Sequence, residues 1–287
     1  QTANISNIVQ SMAASAERVF EFLNEDEEKE RVREFKEIKE VKGNIKFENI
    51  KFGYNPDRII IKGFSADISA GQKVAIVGPT GAGKTTMVNL LMRFYDIDSG
   101  SIKIDGIDIK DIRRDNVRKL FGMVLQDTWL FNGTIKENIA YAKPDATEDE
   151  IIEAAKSAYA DHFIRTLPEG YDTVINEEAD NISQGEKQLL TIARAMLANP
   201  PMLILDEATS SVDTRTELLI QKAMDKLTKG RTTFVIAHRL STIKNADLIL
   251  VMDHGNIVEK GKHEELLKEN GFYASLYNSQ FQLTDDD

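Results

Sequence analysis

Residues 78–86 read GPTGAGKTT and fit the pattern GxxxxGK[ST]. They follow the apolar run 73–77, which predicts a strand, and precede the run 87–94, which predicts a helix. Glycines in this position let successive backbone N–H groups turn toward a phosphate chain, and the start of the helix adds the positive end of its dipole. Because a strand precedes it and a helix follows it, the pattern predicts a phosphate-binding loop rather than a chance glycine-rich turn. Within it, Lys84 can reach the β- and γ-phosphates, and Thr85 can offer a hydroxyl to Mg²⁺.

The composition limits the class of protein. The chain has 287 residues, of which 41% are hydrophobic and 29% charged, which is enough for one domain with a subdomain. Cysteine is absent, and this excludes a disulfide framework and a cysteine metal site. The net charge of −11 argues against a nucleic-acid partner, because a basic surface supplies most of that affinity. Apolar runs such as 248–252 are too short to span a bilayer, and no signal peptide is apparent. Because the first residue is Gln1, we expect a piece of a longer chain.

Residues 1–42 form a lead-in with apolar residues at near-helical spacing up to Leu23 and mixed charges after it. The charged part predicts a solvated linker. The helical part is either a frayed tail or a helix that continues from a membrane span outside this chain. The alternation of apolar residues over 45–70 then predicts strands. Tyr54, next to the turn signal at 55–57, is either part of the hairpin or a surface on which a purine stacks.

Polar residues follow several of the predicted strands. Gln126 ends the strand 121–125 and is either loop polarity or an amide near a metal and its attacking water. Asp206 and Glu207 end the apolar run 202–205, at the strand end where open α/β sheets bind ligands. Asp206 can hold Mg²⁺ through water, and Glu207 can orient or deprotonate the attacking water. His238 follows the strand 232–236, where it is either structural or a contact of the γ-phosphate.

A mainly helical stretch, residues 128–200, interrupts this alternation of strands and helices. Thr147 and Glu150 predict a capping box at one of its helix starts. Ser183 and Glu186 predict another, at the start of a helix that ends before Pro200. Such a start is structural in most proteins, but its free amides can also hold an anion.

Together these motifs resemble the nucleotide-binding domain of ATP-binding cassette (ABC) transporters over residues 43 to about 280. The resemblance is closest to the exporter branch, and in particular to one half of a heterodimeric bacterial exporter. It rests on the family's motifs in the family's order: Tyr54 (A-loop), 78–85 (Walker A), Gln126 (Q-loop), 182–186 (signature), 203–207 (Walker B), 210–213 (D-loop) and His238 (H-loop).

The resemblance implies an Mg²⁺-dependent ATPase that drives transmembrane domains from the cytoplasmic face of the membrane. Two such domains would close head to tail on two ATP molecules, each held by the Walker motifs of one domain and the signature of the other. Glu207 would be the general base, and His238 and Gln126 would assist it. Thr85, Gln126 and Asp206 would serve Mg²⁺. The residues that would contact ATP are Tyr54, Gly78, Thr80, Gly81, Ala82, Gly83, Lys84, Thr85, Thr86 and, toward the partner's ATP, Ser183, Gly185 and Glu186.

The signature departs from the family's usual Leu-Ser-Gly-Gly-Gln, because residues 182–186 read ISQGE. Gln184 stands where a glycine would lie close to phosphate, and Glu186 adds a negative charge there. We therefore expect this chain to pair with a different chain that carries an ordinary signature. In addition, residues 176–179 read NEEA where exporters usually carry GERG, so an acid replaces a base.

The predicted fold class is α/β, a RecA-like P-loop NTPase core with a mainly parallel sheet, an antiparallel β subdomain and an inserted helical subdomain. The expected divisions are 1–42 (lead-in), 43–127 (first part of the core), 128–200 (helical subdomain) and 201–287 (second part of the core). Three alternatives remain at this stage: a regulatory module that binds ATP without hydrolysis, a soluble ABC ATPase of DNA repair or translation, and a P-loop kinase. Glu207 and His238 argue against the first, the acidic charge and the lack of coiled-coil arms against the second, and the signature against the third.

Overall fold

A computed structural model describes residues 2–25, 35–38, 40–125, 128–176, 181–206, 212–237 and 240–281. The chain divides into two compact units, 1–34 and 35–287. The first unit contains helix α1 (Thr2–Leu23), as the spacing of apolar residues predicts, and its apolar side chains are exposed, Met12 by 66%. Among the described residues, no helix combines the length and the apolar character that crossing a membrane requires.

The second unit alternates strands and helices. Its strands are β1 (Ile45–Phe52), β2 (Ile61–Ile68), β3 (Lys73–Val77), β4 (Ser99–Ile104), β5 (Ile107–Asp108), β6 (Phe121–Val124), β7 (Gly133–Thr134), β8 (Val174–Ile175), β9 (Met202–Asp206), β10 (Thr232–Ile236), β11 (Leu248–Asp253) and β12 (Asn256–Gly261). Its helices are α2 (Lys84–Leu91), α3 (Arg114–Lys119), α4 (Ile135–Ala140), α5 (Glu148–Ser157), α6 (Asp161–Thr166), α7 (Gln184–Ala198), α8 (Thr214–Thr228), α9 (Leu240–Lys244), α10 (His263–Glu269) and α11 (Phe272–Phe281).

The central sheet has the strand order β12-β11-β3-β10-β9-β6, parallel except for β12, which pairs antiparallel with β11. Strands β3, β9 and β10 are buried along nearly their whole length because both faces of the sheet are covered. Their carboxyl ends lie at one edge, where parallel α/β sheets bind ligands. The predicted phosphate-binding loop follows β3, and Asp206 is the last residue of β9.

An antiparallel sheet of order β2-β1-β4-β5 covers the central sheet from one side. Burial alternates along β1, as the sequence predicts for a sheet with one solvated face. The Phe47 ring meets Phe64 of its own sheet at 5.1 Å and Phe234 of the central sheet at 6.3 Å, both edge to face. Helix α2 packs into the same core through Met87 and Leu91. The helix that follows the phosphate-binding loop is therefore held between the two sheets.

Helices α4 to α7 form a second core with α8 and one face of the central sheet. The capping box predicted at Thr147 and Glu150 is confirmed, and Thr134 with Glu137 forms another at the start of α4. Strands β7 and β8 form a short antiparallel ribbon among these helices. The ribbon was not predicted, because two-residue strands have no detectable hydrophobic period.

The end of the charged lead-in differs from the expected solvated linker. Ile38 and Val41 pack against the core between the two sheets. The backbone N–H groups of Lys42 and Gly43 donate to the carboxylate of Asp105 at 2.8 and 3.1 Å. Charge content concealed this docking, because only two apolar side chains of the segment pack against the core, and its other contacts are polar, including that of Lys36 with Asp111.

Candidate nucleotide-binding site

The loop after β3 has the conformation that a phosphate cradle requires. Gly78, Gly81 and Gly83 have φ angles of 153°, 81° and 101°, which L side chains rarely adopt. A Cβ at Gly78 would lie 2.2 Å from the carbonyl oxygen of Met252, so only glycine fits there. Gly83 is also the N-cap of α2, and the amides of that helix start face the loop. The loop is thus shaped to accept an anion through its backbone.

The turn between β11 and β12 fixes the loop from outside. The Gly255 N–H donates to the carbonyl oxygen of Ala82 at 3.1 Å, and the Gly255 carbonyl accepts from the Lys62 N–H on β2 at 3.1 Å. A Cβ at Gly255 would lie 1.6 Å from the carbonyl oxygen of Ile60. Gly255 therefore ties the loop, the central sheet and the antiparallel sheet together.

Lys84 curls back over this loop. Its Nζ donates to the carbonyl oxygens of Gly78 at 2.7 Å and Pro79 at 3.1 Å. Burial lowers the Lys84 pKa from its ordinary value, and the negative charge of Asp206 opposes that shift. The neighbouring Thr80 and Thr85 are exposed, whereas Thr86 is buried under the loop. A cation and a free hydroxyl therefore lie where phosphate and a divalent ion would meet.

Asp206 lies at the same edge of the central sheet as the loop. In the parallel pairings, Ile236 of β10 is level with both Ile76 of β3 and Asp206 of β9. Since neighbouring strands lie about 4.8 Å apart, Asp206 is two strand spacings from the strand that carries the loop. The described residues contain no group of three or more acidic or histidine side chains placed to hold a metal. Thr85 and Asp206 instead suit Mg²⁺, which protein sites bind through one or two carboxylates plus substrate phosphates.

Tyr54 lies beside the helix that starts in the phosphate-binding loop. Its hydroxyl accepts a hydrogen bond from Asn89 Nδ2 at 3.1 Å and lies 3.4 Å from Thr86 Oγ1. Its ring meets Phe52 at 5.0 Å and Tyr95 at 4.9 Å, nearly perpendicular to each. The Tyr54 side chain remains 48% exposed. An aromatic surface is therefore exposed close to the loop, and the stacking role of Tyr54 stays a prediction.

The predicted capping box at the start of α7 is confirmed. Glu186 accepts from the Ser183 N–H at 2.8 Å and from the Ser183 hydroxyl at 2.7 Å, and its own N–H donates to Ser183 Oγ at 3.3 Å. Gly185 is buried against α8, where an added Cβ would lie 2.4 Å from Cγ2 of Thr216. Glycine is required at Gly185 by this close helix contact.

The side chain of Gln184 makes a contact that the sequence does not predict. Its Nε2 donates to Thr128 Oγ1 at 3.1 Å, so the amide is held by the segment that follows Gln126 in the chain. The N-terminal halves of α7 and α8 also line a cleft of about 610 Å³ with α6 and the end of α5. Its apolar walls come from Tyr159, Phe163, Leu189 and Leu219.

Several predicted site residues lie outside the described residues: Gln126, Glu207, Ser210, Ser211, His238 and residues 177–179. Their roles stay predictions. Among the described residues, the structure brings the 78–86 loop, Tyr54 and Asp206 to one edge of the core, and it places the signature at the start of α7.

Sequence reasoning missed three residues around this site. Asn89 and Tyr95 hold Tyr54, but the sequence separates them from it by 35 residues and more. Arg194 of α7 donates from Nε to the Asn138 carbonyl at 2.9 Å and from an η nitrogen to the Trp129 carbonyl at 3.2 Å, and its guanidinium lies 5.1 Å from the centre of the Tyr141 ring. The signal available for Arg194 was a charged residue within the apolar pattern of α7.

The parallel sheet, the glycine-rich loop and the acid two strands away define a P-loop NTPase fold, as predicted. Comparison with known proteins agrees: the profile of the family described as ABC transporter matches residues 61–210. The chain therefore belongs to the ABC transporter family and is an ATP-binding domain of that family.

Individual relatives share most of this chain. A fatty acid ABC transporter ATP-binding/permease protein of Mycobacterium tuberculosis is 58% identical over 96% of this chain and 43% of its own length. An ATP-dependent lipid A-core flippase of Desulfotalea psychrophila is 48% identical over 98% of this chain and 49% of its own length. The structure of a bacterial Atm1-family ABC exporter with ATP bound superposes with a TM-score of 0.81 at 43% identity, over 96% of this chain and 48% of that one. The chain thus spans about half the length of the relatives it matches.

Proposed function

We propose that this chain binds Mg²⁺-ATP and hydrolyses it to drive export through transmembrane domains of the same transporter. The observation that carries the proposal is the position of Lys84, held by carbonyl oxygens inside a preformed glycine loop and within electrostatic range of Asp206. The exporter names of the relatives support the direction of transport. The domain would work at the cytoplasmic face of the membrane, where ATP is available.

Binding would use the loop as it stands. The backbone amides from Gly78 to Thr86 would surround the phosphates, and Lys84 would exchange its carbonyl partners for β- and γ-phosphate oxygens. Tyr54 would stack against adenine. Thr85, Gln126 and Asp206 would hold Mg²⁺, which neutralises charge on the phosphate oxygens.

Hydrolysis would use groups at the ends of the neighbouring strands. Glu207, directly after β9, would take a proton from the attacking water. His238, shortly after β10, would contact the γ-phosphate, and Gln126 would help to orient the water. These three residues follow β6, β9 and β10 in the chain, and the carboxyl ends of those parallel strands lie at one edge of the sheet.

The signature would complete the site of a partner domain. Two domains would close head to tail, and the α7 amides with Ser183, Gly185 and Glu186 would approach the partner's ATP. The capping box supports this role because it fixes the Ser183 hydroxyl at the start of the helix. In this arrangement, residues 1–42 would be the lead-in and 128–200 the helical subdomain. Residues 43–127 and 201–287 would be the two parts of the core.

The partner would be a different chain with an ordinary signature. The carboxylate of Glu186 lies 2.7 Å from Ser183 Oγ, so a negative charge sits directly beside the hydroxyl that would approach phosphate. Such a signature should serve an ATP poorly. In a heterodimer, the altered signature of this chain would contribute to only one, weak ATP site. The partner's ordinary signature would complete the other site, around Lys84 and Glu207.

Sedimentation and phosphate release with Mg²⁺-ATP test this function on the purified chain and its Glu207→Gln form. We expect wild type to bind ATP, to remain monomeric and to hydrolyse slowly, and we expect Glu207→Gln to bind ATP equally and hydrolyse still less. A Glu169→Gln variant, changed at an exposed acid of the helical part, should behave as wild type. A tight symmetric homodimer with fast turnover would contradict the heterodimer, and hydrolysis by Glu207→Gln at the wild-type rate would contradict its role as base.

A further inference from the structure

The turn that follows α2 is fixed by a buried ionic network. Arg93, only 2% exposed, donates to the carbonyl oxygens of Ile109 at 2.9 Å and Ile112 at 2.6 Å. Its Nε lies 3.3 Å from Asp96 Oδ1, and Arg114 contacts Asp96 Oδ2 at 2.8 Å. Breaking a buried pair of this kind leaves an uncompensated charge, so these contacts stabilise the turn from Arg93 to Asp96 in this arrangement.

Tyr95 projects from this turn toward Tyr54. The two rings meet at 4.9 Å with an interplanar angle of 82°, and Tyr95 also meets the buried Phe52 at 5.7 Å. The preceding residue, Phe94, stays on the other side of the turn, beneath the guanidinium of Arg118 at 5.2 Å. Tyr95 and Phe94 are similarly exposed, 45% and 41%, but only Tyr95 touches Tyr54.

Helix α2 thus connects the phosphate loop to Tyr54 at three points. Thr86 and Asn89 contact the Tyr54 hydroxyl, and Tyr95, after the C-terminal end of the helix, contacts its ring. A ring that is held at its hydroxyl and on its side has a fixed plane. The distance and angle between that plane and the phosphate loop are then set by α2 and the turn that follows it.

We propose that Tyr95 is a positioning residue for the nucleotide base, which acts by fixing the plane of the Tyr54 ring. The proposal rests on the proposed ATP binding, and it assigns to Tyr95 a share of the affinity for the base but none of the affinity for the phosphates. Aromatic pairs of this geometry contribute measurably beyond the area they bury. Loss of the ring at Tyr95 should therefore lower ATP affinity by about twofold to tenfold.

The test compares the affinities of Tyr95→Leu and its matched control Phe94→Leu for ATP and for inorganic tripolyphosphate, by calorimetry on the whole chain. We expect Tyr95→Leu to weaken ATP but not tripolyphosphate, Phe94→Leu to weaken neither, and Tyr95→Phe to restore ATP affinity because the ring is kept. In a Tyr54→Leu background, Tyr95→Leu should cost nothing more, since it acts through Tyr54.

Each contrary outcome overturns a separate claim. The positioning role would be wrong if Tyr95→Leu left ATP affinity unchanged, or if it weakened the binding of ATP and of tripolyphosphate equally. It would also be wrong if the effects of the two changes added in the double variant. None of these outcomes would contradict ATP binding itself. If wild type bound tripolyphosphate but showed no preference for ATP over it, the base platform itself would be wrong. If wild type bound neither ligand, the proposed function would fail together with this inference.

Discussion

The ammonium nitrogen of Lys84 lies 2.7 Å from the carbonyl oxygen of Gly78, the residue that opens its own loop. A second carbonyl, that of Pro79, lies 3.1 Å away. The loop is therefore closed around its cation before any phosphate enters. Phosphate oxygens would replace two neutral acceptors with charged ones, which strengthens the hydrogen bonds of the ammonium group.

Lys84→Ala should weaken ATP binding by about 10- to 100-fold, because hydrogen bonds between charged groups are lost from a partly buried site. Calorimetry measures the effect. The control is Lys62→Ala, an exposed lysine on β2 whose change leaves the loop contacts intact and should leave ATP affinity unchanged. Equal ATP affinity in Lys84→Ala and wild type would refute the assignment of the loop.

As the pH is raised, ATP affinity should begin to fall at a lower pH than it would if Lys84 had the ordinary pKa of a lysine. Burial lowers the Lys84 pKa below its usual 10.5, although Asp206 opposes the shift, so the free protein loses this proton first. Bound phosphate favours the ammonium form, and binding near the lowered pKa should therefore take up a proton. Calorimetry from pH 8 to 10 in buffers of different ionisation enthalpy measures the uptake.

The same lowered pKa affects stability in the opposite direction from ATP affinity, because it makes the free energy of unfolding rise with pH. Between the lowered folded pKa of Lys84 and the ordinary value of 10.5, the unfolded chain binds more protons than the folded one, so this group makes stability rise with pH. Lys84→Ala should remove both the proton uptake on binding and this contribution. A pH profile of ATP affinity that is the same in wild type and Lys84→Ala would contradict the prediction.

Gly185→Ala should lower the free energy of unfolding by about 1–3 kcal/mol, because the new Cβ would overpack the contact between α7 and α8. The nearest atoms would be Cγ2 of Thr216 at 2.4 Å and Cγ1 of Val212 at 2.9 Å. Denaturant unfolding measures the loss. Combining Gly185→Ala with Thr216→Ser removes the nearer methyl group and should recover part of the stability. If the double variant were as unstable as the sum of the single ones, steric overlap would not be the cause.

Glu186→Gln should separate the structural and electrostatic roles of this side chain. Glutamine can still complete the capping box, so stability should change little, whereas Ser183→Ala should cost about 1 kcal/mol. The negative charge beside the Ser183 hydroxyl disappears, and the signature should then support a partner's ATP better. Sedimentation with Mg²⁺-ATP in a Glu207→Gln background should show more dimer for Glu186→Gln. The same dimer fraction with and without the change would show that the charge is irrelevant to closure.

Local patterns were sufficient for the elements that carry the site. The strand and helix around residues 78–86, the apolar run that ends at Asp206, and the capping box at Ser183 each depend on residues close together in the chain. Their local physics is strong enough to be recognised without tertiary context. The structure confirms the strand before the loop, the strand that ends at Asp206 and the capping box, whereas the helix predicted over 87–94 begins at Lys84 and ends at Leu91.

Other features depend on contacts that no local pattern encodes. The strand order, with β3 between β10 and β11, results from pairing over more than 150 residues. The hydrogen bond from Gln184 to Thr128 joins residues 56 positions apart in the chain, and no local pattern indicates it. The hydrogen bonds from Lys42 and Gly43 to Asp105 also join distant parts of the chain, and the charge of the segment gave no sign of them.

The two hydrogen bonds of Gly255 have a mechanical consequence. They join the phosphate loop to β2, the strand that follows the Tyr54 hairpin, through a turn in which no side chain can replace the hydrogen atom. The two places that would bind the opposite ends of a nucleotide are therefore linked through the backbone hydrogen bonds of Gly255. A shift of the phosphate loop would therefore reach β2 through backbone hydrogen bonds alone, with no side chain between them that could change its rotamer.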